Sequence, residues 1–149
     1  MKYLILALAL ATLVGCGGGS STNCTFSDPV DPTYNLDGQT WYLDGTTPTN
    51  DCPYPDTTFS GSGTVSQSGN SISVTGTGFS LSGQISDGQI RWGGSIDLGD
   101  ETLTIECTTI AVSGVDIGDT MSFSNVSWTV EYEGGSCSGT ATGTFERTG

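Results

Sequence analysis

The chain has 149 residues, with 16 acidic side chains, three basic ones and no histidine. This length suits about one domain, and the charge excludes nucleic-acid binding and electrostatic docking on anionic lipid, since both need a basic face. The absence of histidine removes the commonest general base and the commonest metal ligand.

Residues 1–15 predict a lipoprotein signal peptide. Lys2 precedes an apolar run over residues 3–14, which is well short of the roughly 20 residues that span a bilayer. The run ends in LVGC, which resembles the bacterial lipobox. The resemblance implies cleavage before Cys16 and attachment of acyl chains such as palmitate, which together anchor a protein stably. The alternative is an ordinary signal peptide with a cysteine near its cleavage site.

The residue after Cys16 bears on the location of the protein. In enteric bacteria an aspartate there retains lipoproteins in the inner membrane, whereas this chain has Gly17. The resemblance therefore implies an outer-membrane lipoprotein that faces the periplasm or the cell surface. Residues 16–36 are expected to be a flexible tether and lead-in, because residues 17–22 contain only glycine, serine and threonine.

Residues 37–149 show the alternation of small polar and larger apolar residues that is typical of half-buried strands. Glycine-containing turn pairs separate the segments. The predicted strands are residues 38–46, 57–68, 71–76, 79–86, 89–97, 101–113, 120–133 and 136–147. Eight consecutive antiparallel strands form a meander, and closure removes its two unpaired edges. We therefore predict an all-β, eight-stranded antiparallel up-and-down barrel, with an open β-sandwich as the alternative.

Three residues at the two ends of this domain resemble lipocalins and their calycin relatives. Gly38 and Trp41 begin the first strand, and Arg147 ends the last one. In that family such an arginine packs over the tryptophan and closes the base of the barrel, a contact worth about 0.5–2 kcal/mol. Here two residues separate the glycine from the tryptophan, where lipocalins have one. The resemblance implies a lipocalin-like barrel that binds a small hydrophobic ligand.

A ligand inside the barrel would contact apolar side chains that point inward. The candidates are Trp92, Trp128, Tyr132, Ile90, Leu81 and Phe123. The alternative is an interior that these side chains fill, without a ligand cavity.

The loops near residues 47–56, 77–78, 99–100 and 134–135 should share one end of the barrel. Carboxylates gather there, with Asp97, Asp100 and Glu101 joined by Asp51 and Asp56. Oxygen ligands of this kind suit Ca²⁺, but no EF-hand pattern accompanies them, which favours solvated acidic turns and no metal or other cofactor. Paired carboxylates could also serve a glycosidase, but no sugar cleft is marked, so we expect no enzymatic activity.

Four cysteines remain besides Cys16, and an even count in an exported chain predicts two disulfides. In an eight-stranded meander, the loop after strand one and the turn before strand eight lie at the same end. This topology predicts a Cys52–Cys137 bridge, which leaves Cys24–Cys107 as the second.

Two functions remain as hypotheses for this lipid-anchored protein. The first is the binding of a small hydrophobic ligand in the barrel. The second is a non-catalytic surface or envelope interaction module without a ligand cavity. The sequence does not identify a protein partner for such a module.

Overall fold

The computed structural model describes residues 24–52, 58–99, 101–132 and 134–149, and it shows eight antiparallel strands. The strands are β1 (Thr40–Asn50), β2 (Thr58–Ser68), β3 (Ser71–Gly76), β4 (Phe79–Ser86), β5 (Gln89–Asp97), β6 (Thr102–Ala111), β7 (Thr120–Tyr132) and β8 (Gly135–Arg147). Each strand pairs with the next, and β8 pairs with β1. The predicted closed barrel is confirmed.

The first strand is longer than predicted. β1 continues to Asn50, so the connection to β2 begins four residues later than the sequence suggested. The extension pairs with β8 after a register shift between Thr46 and Thr49. Pro48 lies within this shift, where its missing N–H removes no regular ladder bond. The irregular pairing accommodates Pro48 inside β1, whereas the sequence pattern predicts that this strand ends at residue 46.

The connections alternate between two ends of the barrel. The end that holds the β1–β2, β3–β4, β5–β6 and β7–β8 connections is called the mouth, and the opposite end is called the base. Residues 24–36, called the strap, are held against the barrel. Cys24 and Leu36 are each 2% exposed, and the backbone N–H of Phe26 donates to Gln84 Oε1 at 2.8 Å. The lead-in from Cys24 onward is thus part of the folded domain.

Both predicted disulfides are present. Cys52 bonds to Cys137 at the mouth, and Cys24 bonds to Cys107, which joins the strap to β6. Cys107 lies at an irregularity between β5 and β6, where the register shifts between Trp92 and Gly94. Gly93 faces this bridge, and a β-carbon there would lie 2.8 Å from Cys24 Sγ. A side chain at Gly93 would therefore displace the strap.

Aromatic rings fill part of the interior by lying against glycines. A β-carbon on Gly63 would lie 2.7 Å from the Phe79 ring, and one on Gly61 would lie 3.0 Å from it. The ring of Phe59 likewise occupies the space that a side chain on Gly45 would need. These glycines are needed because a neighbouring ring takes the volume of their side chains. Their φ angles are not in the left-handed region.

We predict that Gly63→Ala lowers the free energy of unfolding by about 1–3 kcal/mol, because the added methyl group overlaps the Phe79 ring. Urea denaturation measures the change. Ser62→Ala, at the exposed neighbouring position on β2, should stay within about 0.5 kcal/mol of the parent. Equal stability of the Gly63→Ala variant and the parent would contradict the packing argument.

We also predict similar losses of stability when either bridge is replaced by two alanines. The bridges join residues separated by 83 and 85 positions, so chain-entropy theory assigns each about 4–5 kcal/mol. Denaturation of the Cys24→Ala/Cys107→Ala and Cys52→Ala/Cys137→Ala variants tests this. A difference above about 2 kcal/mol would show that folded-state contacts, rather than loop closure, dominate one bridge.

Candidate functional site

The interior of the barrel is filled by apolar side chains from all eight strands. Five of the six predicted ligand-contacting residues are buried there: Leu81, Ile90, Trp92, Phe123 and Trp128. Tyr132 is half-buried and packs against the same core. In the structure the neighbours of these residues are other core side chains, and ligand contact by them stays a prediction.

Trp92 lies at the centre of an aromatic cluster. Its ring meets Phe123 edge-on at 5.4 Å and Phe145 edge-on at 5.1 Å between centroids. Edge-to-face pairs of this kind add about 0.5–1.5 kcal/mol beyond the burial of area. The cluster links β5, β7 and β8 across the barrel. These three rings occupy part of the barrel interior, where the sequence predicts a hydrophobic ligand.

Next to Trp92 lies an apolar cavity of about 40 Å³. Its lining consists of Leu36, Val65, Ile72, Val74, Leu81, Ile90, Trp92, Ile110 and Phe145. This volume is close to the share of one water molecule in the liquid, about 30 Å³, and cavities with purely apolar walls stay dry. Small-molecule pockets are usually about 300–1,000 Å³. The cavity is too small for the hydrophobic ligand that the sequence suggested.

The base of the barrel is closed by polar contacts around Trp41. The indole N–H of Trp41 donates to Gln39 Oε1 at 3.0 Å, and Gln39 Nε2 donates to the Asn35 carbonyl at 2.9 Å. Gln39 is itself buried, so this pair satisfies two polar groups inside the base. The role of Gln39 is not evident from the strand pattern, although its place two residues before Trp41 suits this bond.

Arg147 lies directly opposite Trp41 in the β1–β8 register, which confirms the predicted pairing of the first and last strands. Its guanidinium Nη1 donates to the Val115 carbonyl, and its Nε donates to the Gly149 carbonyl at 3.4 Å. Arg147 thereby joins the β6–β7 connection to the end of the chain. Placement of the guanidinium over the Trp41 indole stays a prediction.

The predicted carboxylate cluster at the mouth has local partners. Asp97 Oδ1 accepts from the Gly99 N–H at 2.8 Å, and Asp51 Oδ1 accepts from the Ser138 N–H at 2.6 Å. Asp51 also lies near Cys52 and Cys137, but their sulfur atoms are bonded to each other and offer no thiolate ligand. Asp56 and Asp100 lie outside the described residues.

The mouth contains a depression of about 320 Å³, which we call the mouth depression. Its lining residues are Leu43, Thr58, Phe59, Ser60, Thr77, Gly78, Phe79, Ile96, Asp97 and Leu98. Buried apolar groups form its floor, and exposed polar residues form its rim. The sequence analysis missed this floor. Phe59 and Phe79 begin or nearly begin strands at the mouth, which is the signal that could have identified it.

The outer wall is rich in hydroxyl groups. One cross-strand ladder of exposed or half-buried serine and threonine residues passes through all eight strands. Its members are Thr40, Thr64, Thr75, Ser80, Ser95, Thr104, Thr129 and Ser138. The barrel thus presents a polar wall with little charge, while its acidic groups gather mainly at turns and ends.

No protein-family model, curated protein or solved structure matches this chain significantly. The lipocalin-like resemblance therefore stays a prediction from the sequence, and the structure shows the barrel topology. Within the described parts of the chain, no helix has the length and apolar character needed to cross a membrane. Cys16 and the lipobox-like segment lie outside the described residues.

We predict that the wild-type interior has no room for a ligand the size of benzene, whereas Leu81→Ala creates it. Leu81 is 2% exposed and lines the small cavity, so this substitution should cost about 3–5 kcal/mol of stability and enlarge the cavity. Benzene should then raise the melting temperature of Leu81→Ala but not that of the parent or of Ser82→Ala, which changes an exposed neighbour. An equal rise in the parent would show that the interior already accepts a ligand.

Proposed function

We propose that this chain is a lipid-anchored, non-catalytic module of a bacterial cell envelope that meets its partners through its outer surface and its ends. The observation that carries the proposal is the filled interior, where the cavity beside Trp92 measures about 40 Å³. Between the two hypotheses that the sequence left open, this geometry favours the interaction module.

The envelope location is supported by sequence and by chemistry. The LVGC segment resembles a lipobox, and the glycine- and serine-rich residues after Cys16 suit a spacer between a membrane and a folded domain. Two disulfides suit an oxidising compartment such as the periplasm or the cell surface. The acidic chain has few basic groups for lipid headgroups, so the acyl chains supply the membrane contact.

A second candidate function is the binding of a small molecule at the mouth. The mouth depression, at about 320 Å³, reaches the lower end of the usual range for ligand pockets. A lipocalin-like ligand would lie inside the barrel, whereas this ligand would lie at the mouth, outside the packed core and in contact with solvent.

The anchor is tested by Cys16→Ser in a bacterial host. We expect the variant to leave the membrane fraction or to accumulate unprocessed, because the acyl chains attach to the cysteine thiol. Fractionation and metabolic labelling with a palmitate analogue measure both effects. Ser20→Ala, in the same spacer, is the matched control and should remain labelled and membrane-bound. A Cys16→Ser variant that is processed and still bound to membranes would contradict the anchor.

A further inference from the structure

The floor of the mouth depression contains two phenylalanine rings whose positions the backbone restricts. The Phe79 ring lies against Gly61, Gly63 and Gly76, and the Phe59 ring lies against Gly45. Leu43 and Ile96 complete the buried part of this floor. Because the rings pack on glycines, they need little rearrangement when a ligand arrives, which lowers the entropy cost of binding.

The rim of the depression is held by backbone hydrogen bonds. The Asp97 N–H donates to the Gly78 carbonyl at 2.6 Å, which joins the end of β5 to the β3–β4 turn. The Leu98 N–H donates to the Glu101 carbonyl at 2.9 Å. The Gly99 N–H donates to Asp97 Oδ1 and so orients the carboxylate. An exposed carboxylate thus has a defined place beside an apolar floor.

The charge around the depression has one sign. Among the residues that the structure describes, Asp97 is the only charged one in its lining. The two arginines of the described chain lie elsewhere: Arg147 is at the base, and Arg91 lies six residues before Asp97 on β5, or about 20 Å along the strand. With 16 acidic residues against three basic ones, the protein attracts cations and repels anions.

We infer that the mouth depression binds a small organic ammonium ion, with the apolar part of the ligand on Phe59 and Phe79 and the ammonium group beside Asp97. The carboxylate supplies the counter-charge, and the faces of aromatic rings also attract cations. The rim hydroxyls of Thr58, Ser60 and Thr77 offer further acceptors for N–H groups. The inference rests on the second candidate function and names the ligand class for it.

The test uses the full chain with Cys16→Ser, so that no acyl group is attached. Three probes of similar shape are titrated at low salt: phenethylamine, phenethyl alcohol and 3-phenylpropanoate. NMR shifts of the Phe59 and Phe79 ring signals report the site. We expect the amine to bind at least tenfold more tightly than the alcohol, the carboxylate to bind more weakly still, and the amine's advantage to shrink at 0.2 M salt.

Asp97→Asn keeps the oxygen that accepts from Gly99 but removes the charge, and it should bring the amine's affinity to that of the alcohol. Asp87→Asn, an exposed turn residue at the base, is the matched control and should keep the full preference. Equal affinity of amine and alcohol for the parent would overturn the cation preference and leave a mouth site for neutral molecules. Saturating amine without a shift at either ring would overturn the mouth site itself.

Discussion

The fold depends on filling the interior of an eight-stranded barrel with a sequence that has few large apolar residues. Only 34% of the chain is hydrophobic, and 23 residues are glycine. The structure meets this constraint by laying the Phe59 and Phe79 rings against glycines on β1, β2 and β3. Close packing of this kind reaches the density that protein interiors require while few large residues are used. Beside Trp92, the apolar cavity that this packing leaves measures about 40 Å³.

Much of the fold could be predicted from the sequence because its signals are local and repeated. Alternation specified the strands, turn pairs such as Asp87-Gly88 separated them, and a meander of eight implied closure. The antiparallel order places the loop after the first strand and the turn before the last strand at one end, and closure makes these two strands neighbours. The Cys52–Cys137 pairing therefore follows from the sequence pattern. The register shift around Pro48 could not be predicted from the sequence, because alternation within one strand does not show where its pairing with a neighbouring strand becomes irregular.

The candidate site was less predictable than the fold. Inward-facing residues such as Trp92 and Phe123 were identified, but alternation alone does not tell whether they surround a space or fill it. That distinction depends on ring orientations and on which glycine faces which ring, as with Gly63 and Phe79. The indole N–H groups of Trp92 and Trp128 are buried and find no hydrogen-bond partner among the described residues, and such burial carries a desolvation cost.

A barrel whose interior is packed with side chains offers its wall and its ends for binding, whereas a barrel with an open interior can hold a ligand inside. Its wall is a ladder of hydroxyl groups with little charge, and its base is closed by Gln39, Trp41 and the Arg147 contacts. The mouth combines the Phe59 and Phe79 rings with the carboxylate of Asp97 and the Cys52–Cys137 bridge. The strap begins on the side wall, where Cys24 bonds to Cys107 on β6. Selective contacts at the mouth would thus combine apolar area with negative charge, a pairing that favours cationic molecules over neutral or anionic ones.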